Sequence, residues 1–127
     1  MIVNDPQTLA ELTALFEAYE EALTRNDLDA LDAFFWPSPQ VLRFGAGESL
    51  YGIEAIRQFR ANRRGGSPKR ALITTTITTF GRDFGTANTE FARDGETRVG
   101  RQSQTWVRLP EGWRIVAAHV SLAAERS

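Results

Sequence analysis

Helix-type and strand-type patterns occupy different halves of this chain. In the first half, apolar residues recur at steps of three and four, the spacing of amphipathic helices. The second half consists of segments rich in β-branched residues, separated by glycine-containing turns, which is typical of antiparallel strands. This order predicts an α+β fold, with three N-terminal helices packed on a strongly curved antiparallel sheet. The length of 127 residues predicts a single domain over 1–127.

Three segments of the first half have helical periodicity. The first begins near Pro6, because proline suits a first helical turn. Its candidate capping residues are Asn4, Asp5 and Thr8, and its inward stripe is Leu9, Leu12, Phe16, Tyr19 and Leu23. The second is capped by Asn26 or Asp27 and carries Leu28, Leu31, Phe34 and Phe35. The third follows Gly52 and turns inward Ile53, Ile56 and Phe59.

Turn signals divide the rest of the chain into strands. Val41–Phe44 is a short strand between a proline-containing and a glycine-containing stretch. Asp94 followed by Gly95 is a strong hairpin signal, because both residue types tolerate the positive φ angles of a tight turn. The remaining predicted strands span residues 71–80, 84–93, 99–109 and 113–122.

Composition excludes several classes of function. The net charge is −1, so neither nucleic acid nor a membrane surface is an expected partner. The absence of cysteine excludes disulfides, thiolate nucleophiles and cysteine metal sites, and it fits a cytoplasmic location. The first residues lack the basic and apolar regions of a signal peptide, and no apolar run approaches the roughly 20 residues that span a bilayer.

Arg43 is a charged residue within an apolar strand. Alternation places it on the same face as Val41, with two apolar neighbours on the other face, so both faces are expected to be at least half buried. Arginine is almost never fully buried without a partner. It therefore either pairs internally, with Glu48 or Glu90 as candidates, or binds an anionic ligand.

The order of helices and strands resembles the nuclear transport factor 2-like or SnoaL-like cone fold over nearly the whole chain. Segments that carry this general resemblance are LYGI at 50–53, SQTWV at 103–107 and GWRIVAAHVS at 112–121. More specific segments resemble the AtzH-like family, whose relatives include the oxalurate-catabolism proteins called HpxZ. They are VLRFG at 41–45, Phe59-Arg60-x-x-Arg63 and GRQSQTW at 100–106.

The family resemblance implies an activity and a catalytic pair. Members of this group are encoded near amidases and act on small carboxylated ureas. The AtzH type is associated with decarboxylating hydrolysis of urea-1,3-dicarboxylate to allophanate. Its proposed catalytic tyrosine and arginine match Tyr19 and Arg43. We therefore expect a cofactor-independent hydrolase or decarboxylase that acts on urea-1,3-dicarboxylate or oxalurate-type anions in nitrogen-compound catabolism.

Tyr19 and Arg43 have side chains suited to this chemistry. A guanidinium is a planar fork that binds a carboxylate bidentately. The Tyr19 hydroxyl would donate a hydrogen bond to a developing oxyanion or a proton to a leaving nitrogen. The alternative for Tyr19 is a core aromatic residue whose hydroxyl bonds a backbone carbonyl.

Four further residues are candidates for substrate binding. Arg60, in the third helix, would supply a second guanidinium at the pocket mouth. Alternation places Gln104 and Trp106 on one face of their strand, which we expect to line the pocket. His119, the only histidine, is either a proton-transfer group or a core or interface residue. A single histidine without cysteine does not make a zinc site, so no metal is expected.

Two other functions remain open. The chain would act as a non-catalytic ligand-binding or accessory subunit of a neighbouring amidase, or as an isomerase or dehydratase of the same fold. The latter lacks an obvious Asp/His pair in the sequence. A homodimer through the open face of the sheet is expected from the fold.

Overall fold

The computed structural model describes residues 1–125. In chain order, its helices are α1 (Pro6–Arg25), α2 (Leu28–Ala33) and α3 (Ile53–Asn62). Its strands are β1 (Leu42–Phe44), β2 (Ser49–Tyr51), β3 (Arg70–Phe80), β4 (Phe84–Arg93), β5 (Gly100–Leu109) and β6 (Gly112–Leu122). The predicted α+β class is confirmed. None of the helices in this described part is long and apolar enough to cross a membrane.

The first two helices begin at the predicted caps. The Asp5 side chain accepts a hydrogen bond from the backbone N–H of Thr8 at 3.1 Å, and Pro6 occupies the first turn of α1. Asp27 caps α2 by accepting from Ala30 N–H at 3.2 Å. These bonds satisfy amide donors that have no partner within the helix, and they fix where each helix starts.

The end of α2 differs from the prediction. The sequence pattern continued the helix through Phe35, but α2 ends at Ala33. The next residues form hydrogen bonds with Ile115 of β6 instead: its N–H donates to the Phe34 carbonyl at 2.8 Å, and its carbonyl accepts from Trp36 N–H at 3.0 Å. Pro37 cannot continue a helix, so the backbone groups before it pair with the sheet.

The strands form one six-stranded sheet in the order β2-β1-β6-β5-β4-β3. The four long strands pair as the predicted antiparallel meander. The expectation of a wholly antiparallel sheet is wrong at one place, because β1 pairs with β6 in parallel. The long stretch of chain between these two strands permits this orientation, which a tight turn cannot. The sequence pattern also missed β2, whose three residues are too few to show alternation.

The helices cover one face of the sheet, and the hydrophobic core lies between the two layers. Bulges interrupt the ladders between Leu72 and Thr74 and between Thr105 and Trp106, which bends the strands around the helices. The core includes Leu12, Phe16, Leu31, Ile56, Trp106 and Ile115. This layer positions inward side chains from several strands opposite α1 and α3.

Candidate functional site

A small cavity lies between α1, α3 and the inner face of the sheet. Its volume is about 30 Å³, space for about two water molecules. Tyr19 of α1 and Gln102 of β5 contribute to its wall. The charged side chains that line it are all arginines: Arg43, Arg60, Arg63, Arg70 and Arg93. Five guanidinium groups around one small, partly open space are the defining property of the site.

The first group, called the β1–α3 group, consists of Arg43 on β1, Arg60 on α3 and Arg63, the residue that caps the end of α3. Nη1 of Arg43 donates to Oε1 of Glu48 at 3.0 Å, and Nε of Arg60 donates to Oδ1 of Asp32 at 2.9 Å. Arg63 has no carboxylate within 4.0 Å among residues 1–125 and donates to the Ser67 hydroxyl at 3.3 Å. Burial lowers the pKa of Arg63, and the neighbouring positive charge of Arg43 lowers it further.

The second group, Arg70 and Arg93, belongs to the facing ends of β3 and β4. These residues lie directly opposite each other in the strand register. Both Nη2 and Nε of Arg70 donate to the Glu20 carboxylate of α1, Nε at 3.3 Å to Oε2. Nη2 also donates to Oε1 of Gln102 at 3.1 Å. Within the described residues, Arg93 has no carboxylate within hydrogen-bonding or ion-pairing distance.

In each group, two arginines share one phenylalanine ring: Arg43 and Arg63 lie over Phe59, and Arg70 and Arg93 lie over Phe91. Arg60 lies over a different ring, that of Phe35. Two guanidinium carbons lie 5.5 and 5.6 Å from the centroid of Phe59, and two others lie 4.4 and 5.7 Å from that of Phe91. Contact with a ring face orients a guanidinium without using its N–H donors. The stacked arginines therefore retain donors for an oxygen-rich ligand.

The charges of the cavity wall do not balance. Only three of the five arginines pair with carboxylates, those of Glu48, Asp32 and Glu20, which leaves an excess of two positive charges. The β1–α3 group and the β3–β4 group each carry one of the two. Uncompensated charge in a poorly hydrated space is costly, and an anion would offset that cost.

Tyr19 reaches the cavity from the buried face of α1. It is 4% exposed, and its ring packs edge-to-face against Phe34 and Phe35, with centroids at 5.6 and 6.4 Å. Its hydroxyl forms no hydrogen bond with any of residues 1–125, so the backbone bond considered as the alternative role is not observed. The structure thus brings Tyr19, Arg43 and Arg60 to one cavity.

The other three candidates lie elsewhere. Gln104 and Trp106 are buried on the inner face, as alternation predicts, but Nε1 of Trp106 donates to Oε1 of Gln104 at 3.0 Å and neither residue lines the cavity. His119 is exposed on the opposite face of the sheet. Its ring packs edge-to-face on Phe44, with centroids 5.8 Å apart.

Sequence reasoning missed Gln102, Arg70 and Arg93. Gln102 has the same parity as Gln104, so alternation already placed it on the inner face, one pleat closer to the cavity. Arg70 immediately precedes the predicted strand 71–80, and counting outward from the 81–83 turn pairs it with Asp94. The bulge between Leu72 and Thr74 shifts this register by one residue and sets Arg70 opposite Arg93 instead. Arg63, which the sequence indicated only as part of a family motif, also lines the cavity.

A family model described as AtzH-like matches residues 1–126. The chain belongs to the AtzH-like family. A protein of unknown function from the DUF3225 family of Pectobacterium atrosepticum has a similar solved structure. It is 56% identical, with a TM-score of 0.93 over 96% of this chain and 95% of that chain. A cystatin-like fold protein from Burkholderia xenovorans is 49% identical, with a TM-score of 0.94 over 99% of both chains.

More distant structures place the AtzH-like fold in a wider group. A nuclear transport factor 2-like superfamily protein from Salmonella enterica is 24% identical, with a TM-score of 0.75 over 95% of this chain and 94% of that chain. At this identity the likeness concerns the fold alone, and it confirms the predicted fold. No curated protein matches the sequence significantly.

Proposed function

We propose that this AtzH-like protein is a cofactor-independent hydrolase or decarboxylase of small carboxylated urea-like compounds, of the urea-1,3-dicarboxylate or oxalurate type. The observation that carries the proposal is the excess of two positive charges around a cavity that the Tyr19 hydroxyl also lines. The family resemblance supports the substrate class, because urea-1,3-dicarboxylate is a small planar dianion.

The arrangement of the arginines favours a ligand with a charge at each end. One excess positive charge belongs to the β1–α3 group and the other to the β3–β4 group. Each guanidinium retains N–H donors that bind a carboxylate in a fixed geometry. A short dicarboxylate offsets both charges at once, whereas a neutral urea offsets neither.

In the proposed reaction, Arg43 anchors the substrate and Tyr19 supplies a proton. Arg43 holds a carboxylate or polarises the urea carbonyl, which stabilises negative charge as the bond between nitrogen and the terminal carboxylate carbon breaks. Carbon dioxide leaves, and the nitrogen takes a proton from the Tyr19 hydroxyl, which recovers one from water. Water then hydrates the carbon dioxide, so the products are allophanate and bicarbonate.

Substrate access requires movement of the cavity wall. The cavity volume of about 30 Å³ is far smaller than the space that a bound dicarboxylate would occupy. Arg63 caps the C-terminus of α3, and its bond to Ser67 at 3.3 Å joins it to the loop that follows the helix. We propose that this segment moves outward to admit the substrate, and that the bound carboxylate then replaces Ser67 as the partner of Arg63.

Turnover by the purified protein tests the proposal. The full chain is incubated separately with urea-1,3-dicarboxylate and with oxalurate, and released carbon dioxide, ammonia and organic products are quantified. Enzyme-dependent turnover of either compound is the expected result: urea-1,3-dicarboxylate gives allophanate and bicarbonate, and oxalurate, which has no bond between nitrogen and a carboxylate carbon, gives urea and oxalate by hydrolysis. Absence of turnover would overturn the catalytic proposal, and co-elution of an amidase in that case would support the accessory-subunit alternative.

A further inference from the structure

Gln102 carries a buried hydrogen-bond donor that has no partner. Its side chain lies on the cavity wall, the residue is 4% exposed, and Nε2 makes no hydrogen bond within the described part of the chain. Buried side-chain amides are normally satisfied, and an unpaired one is costly. In a cavity otherwise rich in cationic donors, this neutral N–H group requires a separate explanation.

The orientation of the Gln102 amide follows from its neighbour. Oε1 accepts a hydrogen bond from Nη2 of Arg70 at 3.1 Å. A guanidinium has donors only, so the amide oxygen, and not the nitrogen, must face Arg70. Arg70 is itself held by the Glu20 carboxylate and by the Phe91 ring, 4.4 Å below its guanidinium carbon. The unpaired NH₂ is therefore fixed on the other side of the amide.

The strand order places this donor between the two arginine groups. Gln102 is on β5, which lies between β6, the neighbour of β1, and β4. Its register partners are Val120 on one side and Thr89 on the other. Arg43 is two strands away in one direction, and Arg93 is on the adjacent strand in the other. A ligand that contacts both the β1–α3 and the β3–β4 arginine groups therefore passes over the Gln102 side chain.

We infer that Gln102 is a specificity-determining residue whose amide Nε2 donates a hydrogen bond to an uncharged carbonyl oxygen in the middle of a short dianionic ligand. The inference rests on the proposed function, because it takes the arginine groups to bind the two charged ends. A neutral donor at the centre distinguishes a ligand that carries a central carbonyl from one of the same length and charge that carries a methylene there.

Two five-carbon dicarboxylates make this distinction measurable, provided that the 3-oxoglutarate solution is freshly prepared and kept cold, because β-keto acids decarboxylate in water. 3-Oxoglutarate has five carbons, two terminal carboxylates and a central carbonyl. Glutarate has the same length and charge with a methylene at the centre. Titration calorimetry with the full chain gives the dissociation constant of each. We expect 3-oxoglutarate to bind about fivefold more tightly, the effect of one neutral hydrogen bond.

Two variants test whether Gln102 is the source of this preference. Gln102→Glu keeps an acceptor for Arg70 but removes the N–H donor, and Gln102→Met is uncharged and of similar size. Changes in charge or packing alter both affinities together, so the readout is the ratio of the two dissociation constants within each protein. We expect this ratio to fall to about one in both variants, with thermal unfolding confirming that each is folded.

The outcomes separate this inference from the proposed function. A fivefold preference that persists in both folded variants overturns the role of Gln102, and so does equal binding of both dicarboxylates to the unsubstituted protein. In either case the proposed reaction stands if urea-1,3-dicarboxylate is still turned over. Failure of the unsubstituted protein to bind either dicarboxylate overturns the dianion site and the inference together.

Discussion

Nη1 of Arg43 and Oε1 of Glu48 lie 3.0 Å apart and form an ion pair across the β1–β2 hairpin. The two side chains are 13% and 24% exposed. From the sequence, internal pairing and ligand binding by Arg43 are alternatives. In the structure, Arg43 pairs with Glu48 and also lines the cavity. The pair uses Nη1 alone, so the other N–H groups of the fork remain available to an anion.

Arg43→Lys separates the charge of this residue from its geometry. Lysine keeps the positive charge near Glu48 but lacks the planar fork. We expect kcat/KM for the carboxylated urea to fall at least about tenfold, with the free energy of unfolding within about 1 kcal/mol of the parent value. Arg43→Ala should also lose activity, and it should cost about 1–3 kcal/mol because Glu48 is left without a partner. Near-parental activity of the lysine variant would contradict a bidentate role.

Tyr19→Phe removes a hydroxyl that has no protein partner among residues 1–125. If this hydroxyl supplies the proton, kcat should fall by about 10²- to 10⁴-fold. Because no hydrogen bond is lost and the ring contacts are kept, we expect the free energy of unfolding to stay the same or to rise by about 1 kcal/mol. Rapid-quench product analysis and urea unfolding measure the two effects.

Tyr51 provides the matched control for Tyr19. It is the only other tyrosine, is 67% exposed on β2 and does not line the cavity. Tyr51→Phe should therefore leave both kcat and stability unchanged. Equal activity of the Tyr19 and Tyr51 variants would show that the Tyr19 hydroxyl takes no part in catalysis.

The acid sensitivity of the β4–β5 turn is predicted from Glu96. Its side chain accepts hydrogen bonds from the guanidinium and backbone N–H of Arg98, which lower its pKa from the ordinary 4.5 to about 2. A lowered carboxyl pKa contributes stability above pH 4.5 that disappears as pH falls toward 2. The stability difference between the parent and Glu96→Gln should therefore be constant above about pH 5 and shrink at lower pH.

Urea unfolding of both proteins between pH 2 and pH 6 measures this dependence. Arg98→Met supplies the control, since it removes the guanidinium that contributes most to the lowered pKa of Glu96. In that background, Glu96→Gln should change the pH dependence much less. A stability difference that grows as pH falls would contradict the assigned sign.

The fold could be predicted from the sequence wherever local signals were strong. Asp5 and Asp27 start their helices as capping chemistry requires, and the turn at Asp94 and Gly95 separates β4 from β5. The sequence could not show the parallel pairing of β1 with β6, because that pairing depends on contacts between residues far apart in the chain.

The site was only partly predictable for the same reason. Arg43 stood out because a charged group in an apolar strand has few roles, whereas Tyr19 was selected through the family resemblance. Arg70 and Arg93 lie at strand ends, where arginine is common, and only the hairpin register brings them to the cavity. Gln104 and Gln102 share a face, and the position of Arg70, not alternation, determines which of them reaches the cavity.

Gly100→Ala should weaken the site through Phe91. A Cβ at position 100 would lie 2.2 Å from the Phe91 ring, which is fully buried and carries the guanidinium groups of Arg70 and Arg93. Displacing the ring should cost about 1–3 kcal/mol and weaken dicarboxylate binding several-fold, because both arginines lose their platform. Gly47→Ala, where a Cβ meets nothing within 4 Å, should change neither quantity. Urea unfolding measures the change in stability, and calorimetry measures dicarboxylate binding. Unchanged binding by a destabilised Gly100→Ala protein would show that Phe91 does not position the arginines.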